Sequence, residues 1–196
     1  MKAKDYRMQA WAALKGNWKT YALIALIYSL ITGACSAIPT VGTLAGLVIG
    51  GPFSLALAMI SLKVLRAEGI EVSNLFDGFQ HFKNSFLLGL INTIFIALWS
   101  LLLVVPGIIK AYAYSMSMYI LADNPEMEQA EARKASIEMM NGHKWELFCL
   151  HFSFIGWHLL IPFTLGILSL WVTPYVQTAT AAFYENLKNQ AADVVA

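Results

Sequence analysis

Lys110 is the residue whose type and position most directly suggest chemistry. It follows Pro106 and Gly107 and lies in an apolar run, Ile108 to Ala122, that holds no acidic residue. A lysine inside a membrane must find a partner or extend to the interface. If Pro106 and Gly107 form a turn, Lys110 lies near a helix N-terminus, where the helix dipole favours a bound anion. We therefore predict that Lys110 either binds a lipid phosphate or solute anion or extends to the headgroups.

Two histidines share one face of a later predicted helix. His151 and His158 are two helical turns apart, which is about 10.8 Å, whereas the ligand atoms of one zinc ion lie about 2.0–2.1 Å from it. A metal shared by this pair is therefore not expected. Interhelical hydrogen bonding is the favoured role, and a proton relay is the alternative.

Further polar side chains lie within apolar runs. Tyr114 and Gln177, together with threonines near Gln177, would either line a polar cavity or join helices by hydrogen bonds. With Lys110, His151 and His158 they form the candidate ligand-binding set. The sequence has no glycine-rich phosphate loop, HExxH motif, paired-cysteine metal site or GxSxG elbow. We predict no catalytic residue, metal or cofactor, and no enzymatic activity.

These residues are positioned by a strongly apolar chain. Of its 196 residues, 58% are hydrophobic and only 13% are charged, against about 45–50% and about 25% in a soluble domain. A spanning helix needs about 20 apolar residues. The predicted fold is all-α and polytopic, one membrane domain over residues 1–196, with a net charge of +1 that gives no reason to expect nucleic acid. Six runs are candidate spans: Tyr21–Ile38, Leu44–Leu62, Phe86–Val105, Ile108–Ala122, Leu147–Phe163 and Leu165–Tyr184.

The distribution of charge predicts orientation. Six spans place twelve of the 13 basic residues, and all 12 acidic residues, on one side. The positive-inside rule makes that side cytoplasmic, with both termini there and Lys110 alone near the outer face. The tryptophans are expected to form interfacial belts, with Trp18 and Trp145 at the inner boundary and Trp99, Trp157 and Trp171 toward the outer boundary.

A threefold repeat is also predicted. Each unit would be an amphipathic cytoplasmic helix, a polar junction and a transmembrane hairpin, over residues 1–66, 67–123 and 124–188. The junctions at Gly16 and Gly142 are similar, and chance likeness of interfacial segments is the alternative. We expect an amphipathic helix over residues 72–82, and another that Asn124 caps and Gly142 ends. Such helices lie at the headgroups or dock a partner.

Several stretches resemble a known family. They are WSLLLVVPGIIKAYAYSMSMYILADNP, NGHKWELF, SFIGW, LWVTPYV and FYENL. Together they resemble an uncharacterised bacterial membrane family, domain of unknown function 975, over nearly the whole chain. A more distant likeness is to the membrane domain of some glycerophosphodiester phosphodiesterases, whose catalytic domain is absent from this sequence. The resemblance implies a bacterial plasma membrane protein and transfers no catalytic residue.

Three functions stay open from the sequence. The leading prediction is a non-enzymatic membrane protein that binds or moves a lipid or small solute, with an anionic ligand near Lys110. The first alternative is a scaffold that docks a cytoplasmic protein through its amphipathic helices. The second is a homo-oligomeric pore. A through-going polar cavity would favour transport, and a solid core with exposed cytoplasmic grooves would favour a scaffold.

Overall fold

The computed structural model describes residues 2–36 and 39–195, and within these ranges it is helical and has no strand. The predicted all-α class is confirmed. Two 3₁₀ helices cover Val72–Phe79 and Pro162–Thr164. The α-helices are α1 (Ala3–Ala13), α2 (Trp18–Ser36), α3 (Pro39–Leu65), α4 (Phe82–Leu102), α5 (Val104–Tyr114), α6 (Ser117–Asp123), α7 (Gln129–Met139), α8 (Lys144–Phe152), α9 (Ile155–Leu160) and α10 (Ser169–Val195).

Five helical segments are long and apolar enough to cross a membrane, and they correspond to the first five predicted spans. The chain is therefore a multi-pass membrane protein. Gln177 and several threonines make α10 less apolar, and no segment of it is among the five within the described residues. The six-span count stays a prediction. The five segments are Trp18–Cys35, Ala45–Leu65, Phe82–Leu101, Val104–Asp123 and Lys144–Thr164.

The core is built from the C-terminal half of α3, from α6 and from the middle of α10. In α3, Leu55, Ile60 and Ser61 point in different directions and none is exposed to solvent. An apolar helix that is buried all round belongs at the centre of a fold. Over half of the spanning window of α3 is buried (56%), compared with 17% for α2 and for α4. Hence α2 and α4 lie outside and present their apolar surfaces to lipid.

An ion cluster joins the ends of α3 and α6 to the second half of α10. Arg66, just after α3, donates to the Asp123 carboxylate of α6 at 2.7 Å and to Glu185 of α10 at 2.6 Å. Asp123 also accepts from Lys188 and from the Tyr184 hydroxyl. Its side chain is only 7% exposed, so these donors replace the water that the carboxylate loses.

Glycines bring α3 and α4 into backbone contact. A Cβ atom on Gly51 would overlap the main chain of Ser85, and one on Gly89 would lie 2.9 Å from the Cα atom of Gly51. Gly78 of the first 3₁₀ helix is similarly close to the Pro52 carbonyl oxygen. The first and second predicted units therefore meet along a closed seam of small residues, as membrane helices often do.

The two similar junctions have the same local conformation. Gly16 and Gly142 both adopt positive φ values, 92° and 85°, as glycine does after a helix C-terminus. Leu14 and Met140, each two residues before its glycine, are fully buried. The prediction that Gly142 ends a helix is confirmed. The full threefold repeat stays a prediction.

The predicted turn at Pro106 and Gly107 was wrong. The turn between α4 and α5 is at the extended residue Leu103, and Pro106 and Gly107 lie inside the first turn of α5. Proline is tolerated there because the first N–H groups of a helix have no intrahelical partner. Gly107 instead allows α5 to approach Ser100. Lys110 is consequently one turn further from the helix N-terminus than predicted.

The amphipathic segments also differ from prediction. Residues Val72–Phe79 form a 3₁₀ helix, and α7 begins at Gln129 rather than after an Asn124 cap. Asn84 explains the later start, because its amide donates to the carbonyl oxygens of Pro125 and Met127 at 3.2 and 3.1 Å. These contacts hold residues 124–128 as a turn against α4.

The glycine seam predicts a large effect of one methyl group. Gly51→Ala should lower the free energy of unfolding by about 1–3 kcal/mol, because the added Cβ overlaps the Ser85 backbone. The matched control is Gly50→Ala, whose Cβ would meet nothing within 4 Å, so its stability should be equal or higher. Thermal unfolding of both variants in one detergent measures the difference. Equal destabilisation would contradict the close seam.

The ion cluster predicts that two aspartate substitutions differ in their effect on stability. Asp123→Asn keeps the side-chain volume but removes the charge that Arg66 and Lys188 share, and we expect a loss of about 1–3 kcal/mol. The control is Asp77→Asn, whose ion pair with Lys63 is longer (3.4 Å) and more exposed, and should cost below about 1 kcal/mol. Thermal unfolding in detergent compares them, and a smaller effect at Asp123 would contradict a stabilising cluster.

Candidate functional site

Lys110 has a partner that the sequence did not suggest. Its ammonium group lies 5.1 Å from the centre of the Trp99 ring across the α4–α5 hairpin. A cation over an indole face is attracted by the ring quadrupole. Within the described residues, Lys110 makes no ion pair. Anion binding by Lys110 stays a prediction, and it would have to compete with this contact.

Tyr114 and Gln177 belong to different parts of the core. Tyr114 is buried and packs beside Phe95, with ring centres 6.5 Å apart. The Gln177 side-chain oxygen accepts a hydrogen bond from the Tyr119 hydroxyl at 2.9 Å. Gln177 thus joins α10 to α6, which is the interhelical alternative considered for it.

The two histidines have different partners. His151 lies 3.2 Å from the Thr180 hydroxyl of α10, whereas His158 contacts the Phe154 carbonyl oxygen of its own chain segment at 2.9 Å. The helix is interrupted between them at Ser153 and Phe154. In the described part of the chain, no group of three metal-ligating side chains occurs. The five predicted site residues therefore do not form one site.

The structure instead forms a tryptophan-lined groove. Its volume is about 420 Å³, within the range of about 300–1,000 Å³ that is typical of ligand pockets. Its exposed lining is almost wholly apolar. We call it the Trp groove, and its lining residues are Trp11, Trp18, Trp157, Leu168, Trp171, Val172 and Tyr175.

Aromatic contacts hold the two walls of the Trp groove together. Trp11 of α1 and Trp18 of α2 pack edge to face, with ring centres 5.1 Å apart. Both rings also contact Tyr175 of α10, at 5.6 and 6.3 Å. Trp157 and Trp171 leave 39% and 47% of their surface uncovered. The groove therefore has fixed aromatic walls and an open apolar interior.

The predicted tryptophan belts were wrong for this part of the molecule. Trp18 was assigned to the inner boundary and Trp157 and Trp171 to the outer boundary, yet all three line one groove. Opposite boundaries of a membrane are separated by about 30 Å of hydrocarbon. The reason is that α1 and the start of α2 pack against the third hairpin, a tertiary contact that hydropathy does not report.

Helix α1 is fixed in place at its other end. The Tyr6 hydroxyl donates to the Asn186 side-chain oxygen at 3.0 Å, and the Tyr6 ring packs on Phe183. Burial, with the nearby charges of Glu146 and Asp5, raises the pKa of Tyr6 to about 12, so the phenol keeps its proton and remains a donor. This contact places α1 along α10.

Arg7 lies beside the Trp groove and has unused donors. Its guanidinium carbon lies 5.3 Å from the centre of the Phe154 ring, and that ring packs on Tyr175 of the groove wall at 5.0 Å. One terminal nitrogen donates to the Ser153 carbonyl oxygen at 3.4 Å, while the buried Nε atom has no partner. Among the described residues, no carboxylate pairs with Arg7.

A second groove lies between α5 and α8. Its volume is about 490 Å³, and it is again mainly apolar, with His151 among its lining residues. Tyr112 and His151 pack together there, with ring centres 5.8 Å apart. Hence two inter-unit seams are open grooves, whereas the glycine seam between α3 and α4 is closed.

Sequence reasoning missed Trp11 as a site residue. The available signal was its position one helical turn after Arg7 and just before Lys15, in a short helix next to the first span. Aromatic and basic residues alternating in this way are typical of an interface that contacts lipid. The partner residues on α10 could not be inferred, since nothing local joins the two ends of the chain.

Comparison with known proteins gives a family and nothing more specific. A family profile described as "Protein of unknown function (DUF975)" matches residues 1–111 and 101–191. No curated protein matches the chain, and no solved structure matches it. The likeness to the membrane domain of glycerophosphodiester phosphodiesterases stays a prediction.

The Trp groove predicts proximity between the two ends of the chain. With Cys35 and Cys149 replaced by serine, the pair Trp18→Cys and Trp171→Cys should be joined by a short bifunctional thiol reagent, because both positions line one groove. The control pair, Trp18→Cys with Trp99→Cys, should not be joined. After proteolysis between the two positions, cross-linked fragments stay together on a denaturing gel, whereas fragments without a cross-link separate. Cross-linking of the control pair alone would contradict the groove.

Proposed function

This chain belongs to the family of domain of unknown function 975, and from that premise we propose that it is a non-enzymatic protein that binds membrane lipid in the Trp groove. The single observation that carries the proposal is the groove itself, an apolar cavity of about 420 Å³ with four tryptophans in its walls. Indole rings prefer the boundary between apolar chains and polar headgroups. In a membrane, the molecules available to fill such a groove are lipids.

The proposed setting is the bacterial plasma membrane, with six spans and both termini in the cytoplasm. The distribution of basic residues supports this orientation. The ion cluster around Asp123 would lie at the cytoplasmic end of the core.

The alternatives have less support. A passage through one subunit has no support, because the described core between α3, α6 and α10 is filled by buried side chains such as Leu121, Ala179 and Phe183. A pore would therefore have to form between copies of the chain. A scaffold retains one supporting observation, a groove of about 530 Å³ between α7 and the end of α10, with Met139 and Leu187 in its lining. A failure of the lipid experiment below would make the scaffold the better proposal.

Lipid retention tests the proposal. Protein purified in mild detergent with a phospholipid mixture should keep at least one phospholipid, as counted by native mass spectrometry. Trp171→Ala removes a large part of one groove wall, and we expect it to lose the most firmly held lipid. The matched control is Trp145→Ala, an exposed tryptophan outside the Trp groove, which should keep it. Equal retention by both variants would contradict binding in the groove.

A further inference from the structure

We infer that the occupant of the Trp groove is one anionic phospholipid, whose headgroup is recognised by the basic residues of α1 and the α1–α2 turn. This inference rests on the proposed lipid function and adds the chemical class of the ligand. It depends on charge, whereas the groove alone explains only the affinity for an acyl chain.

The first argument is the state of Arg7. Its guanidinium is held in place by the Phe154 ring and by one long hydrogen bond to the Ser153 carbonyl oxygen. The Nε atom is buried and unpartnered. A buried donor without a partner is costly, and arginine is suited to phosphate because its donors form a planar fork. The side chain is therefore oriented, and its second terminal nitrogen, which makes no hydrogen bond within the described residues, can donate to an anion.

The second argument is the position of Arg7 relative to the groove. Trp11 lies one helical turn after Arg7 on α1, which is a rise of about 6 Å. On the other side, Phe154 contacts both Arg7 and Tyr175. Arg7 therefore lies at the edge of the groove and not inside it. An acyl chain against the tryptophans would have its phosphate group near this edge.

The third argument is the charge that flanks Trp11 and Trp18 in the sequence. Lys15 lies in the turn between Trp11 and Trp18, and Lys19 follows Trp18 directly. In the part of the chain that the structure describes, neither lysine has an ion-pair partner. Two acidic residues, Asp5 and Glu146, lie near Tyr6 at the start of α1, and within the described residues neither forms an ion pair with Arg7 or with these lysines. The groove tryptophans of α1 and α2 are thus flanked by three cations, which favours an anionic headgroup.

The seams between helices differ in the room that they offer. This difference supports a specific lipid site rather than lipid contact over the whole surface. The α3–α4 seam has no room for a chain because its glycines bring the backbones together. The groove between α5 and α8 has room, but Lys110, the cation next to its lining residue Ala111 in the sequence, packs on the Trp99 ring. Among the seams described, the Trp groove combines an apolar cavity with a neighbouring guanidinium group whose Nε atom has no partner.

Lipid titration with two headgroups tests the inference. The full-length protein in detergent is titrated with phosphatidylglycerol or with phosphatidylcholine of the same acyl chains, and native mass spectrometry gives each Kd. Wild type should bind phosphatidylglycerol at least tenfold more tightly. Arg7→Gln should reduce that preference about fivefold, which corresponds to about 1 kcal/mol for one basic residue. It should weaken phosphatidylcholine binding less, because the choline cation offsets the phosphate charge of that lipid. Arg7→Lys, which keeps the charge, should retain most of the preference.

Controls separate this inference from the proposed function. Lys134→Gln removes an exposed cation on α7, outside the groove, and should leave the preference intact. Equal affinity for the two lipids in wild type, with both lost in Trp171→Ala, would overturn the charge recognition and leave lipid binding standing. Absence of binding of either lipid, or a dimer whose contacts fill the groove, would overturn both.

Discussion

The ion cluster at Asp123 is the constraint on which the rest of the structure depends. One nearly buried carboxylate receives hydrogen bonds from Arg66, Tyr184 and Lys188, and Arg66 also binds Glu185. The cluster ties the ends of α3 and α6 to α10, although these segments are far apart in the sequence. Inside a membrane the hydrophobic effect does not drive helices together. A polar anchor at the membrane surface, where charges can still be solvated in part, therefore contributes to the choice of neighbours.

The seams between the helices differ in how closely the helices approach each other. At Gly51 the α3 and α4 backbones touch, so this seam is closed. At α10, Tyr175 contacts Trp11 of α1 and Trp18 of α2, and the space left beside these rings, next to Trp171, is the Trp groove. The size of the side chains thus decides where lipid can enter. The two open grooves also differ in their neighbouring cations, since Arg7 beside the Trp groove has an unpartnered Nε atom and Lys110 near the other groove packs on Trp99.

Much of the architecture was predictable because it depends on local properties. The first five spans follow from runs of apolar residues, and the turns at Gly16 and Gly142 follow from glycine at helix ends. The candidate site was predicted poorly, since it was sought among polar residues within spans. Lys110 packs on Trp99, Gln177 binds Tyr119, and His158 contacts its own backbone. Each polar side chain found a partner across or within a helix, and such pairing cannot be read from the order of residues.

The sequence by itself determined the membrane class, the approximate helices and the family, because hydropathy, glycine and proline act over a few neighbouring residues. It placed Trp18 and Trp171 at opposite boundaries, since a list of spans assumes straight and independent crossings. Only the tertiary structure decided that α1 packs along α10, through Tyr6 and Asn186, and so brings these rings to one groove. The physical reason is that contacts between the two ends of a chain depend on the shape of everything folded between them.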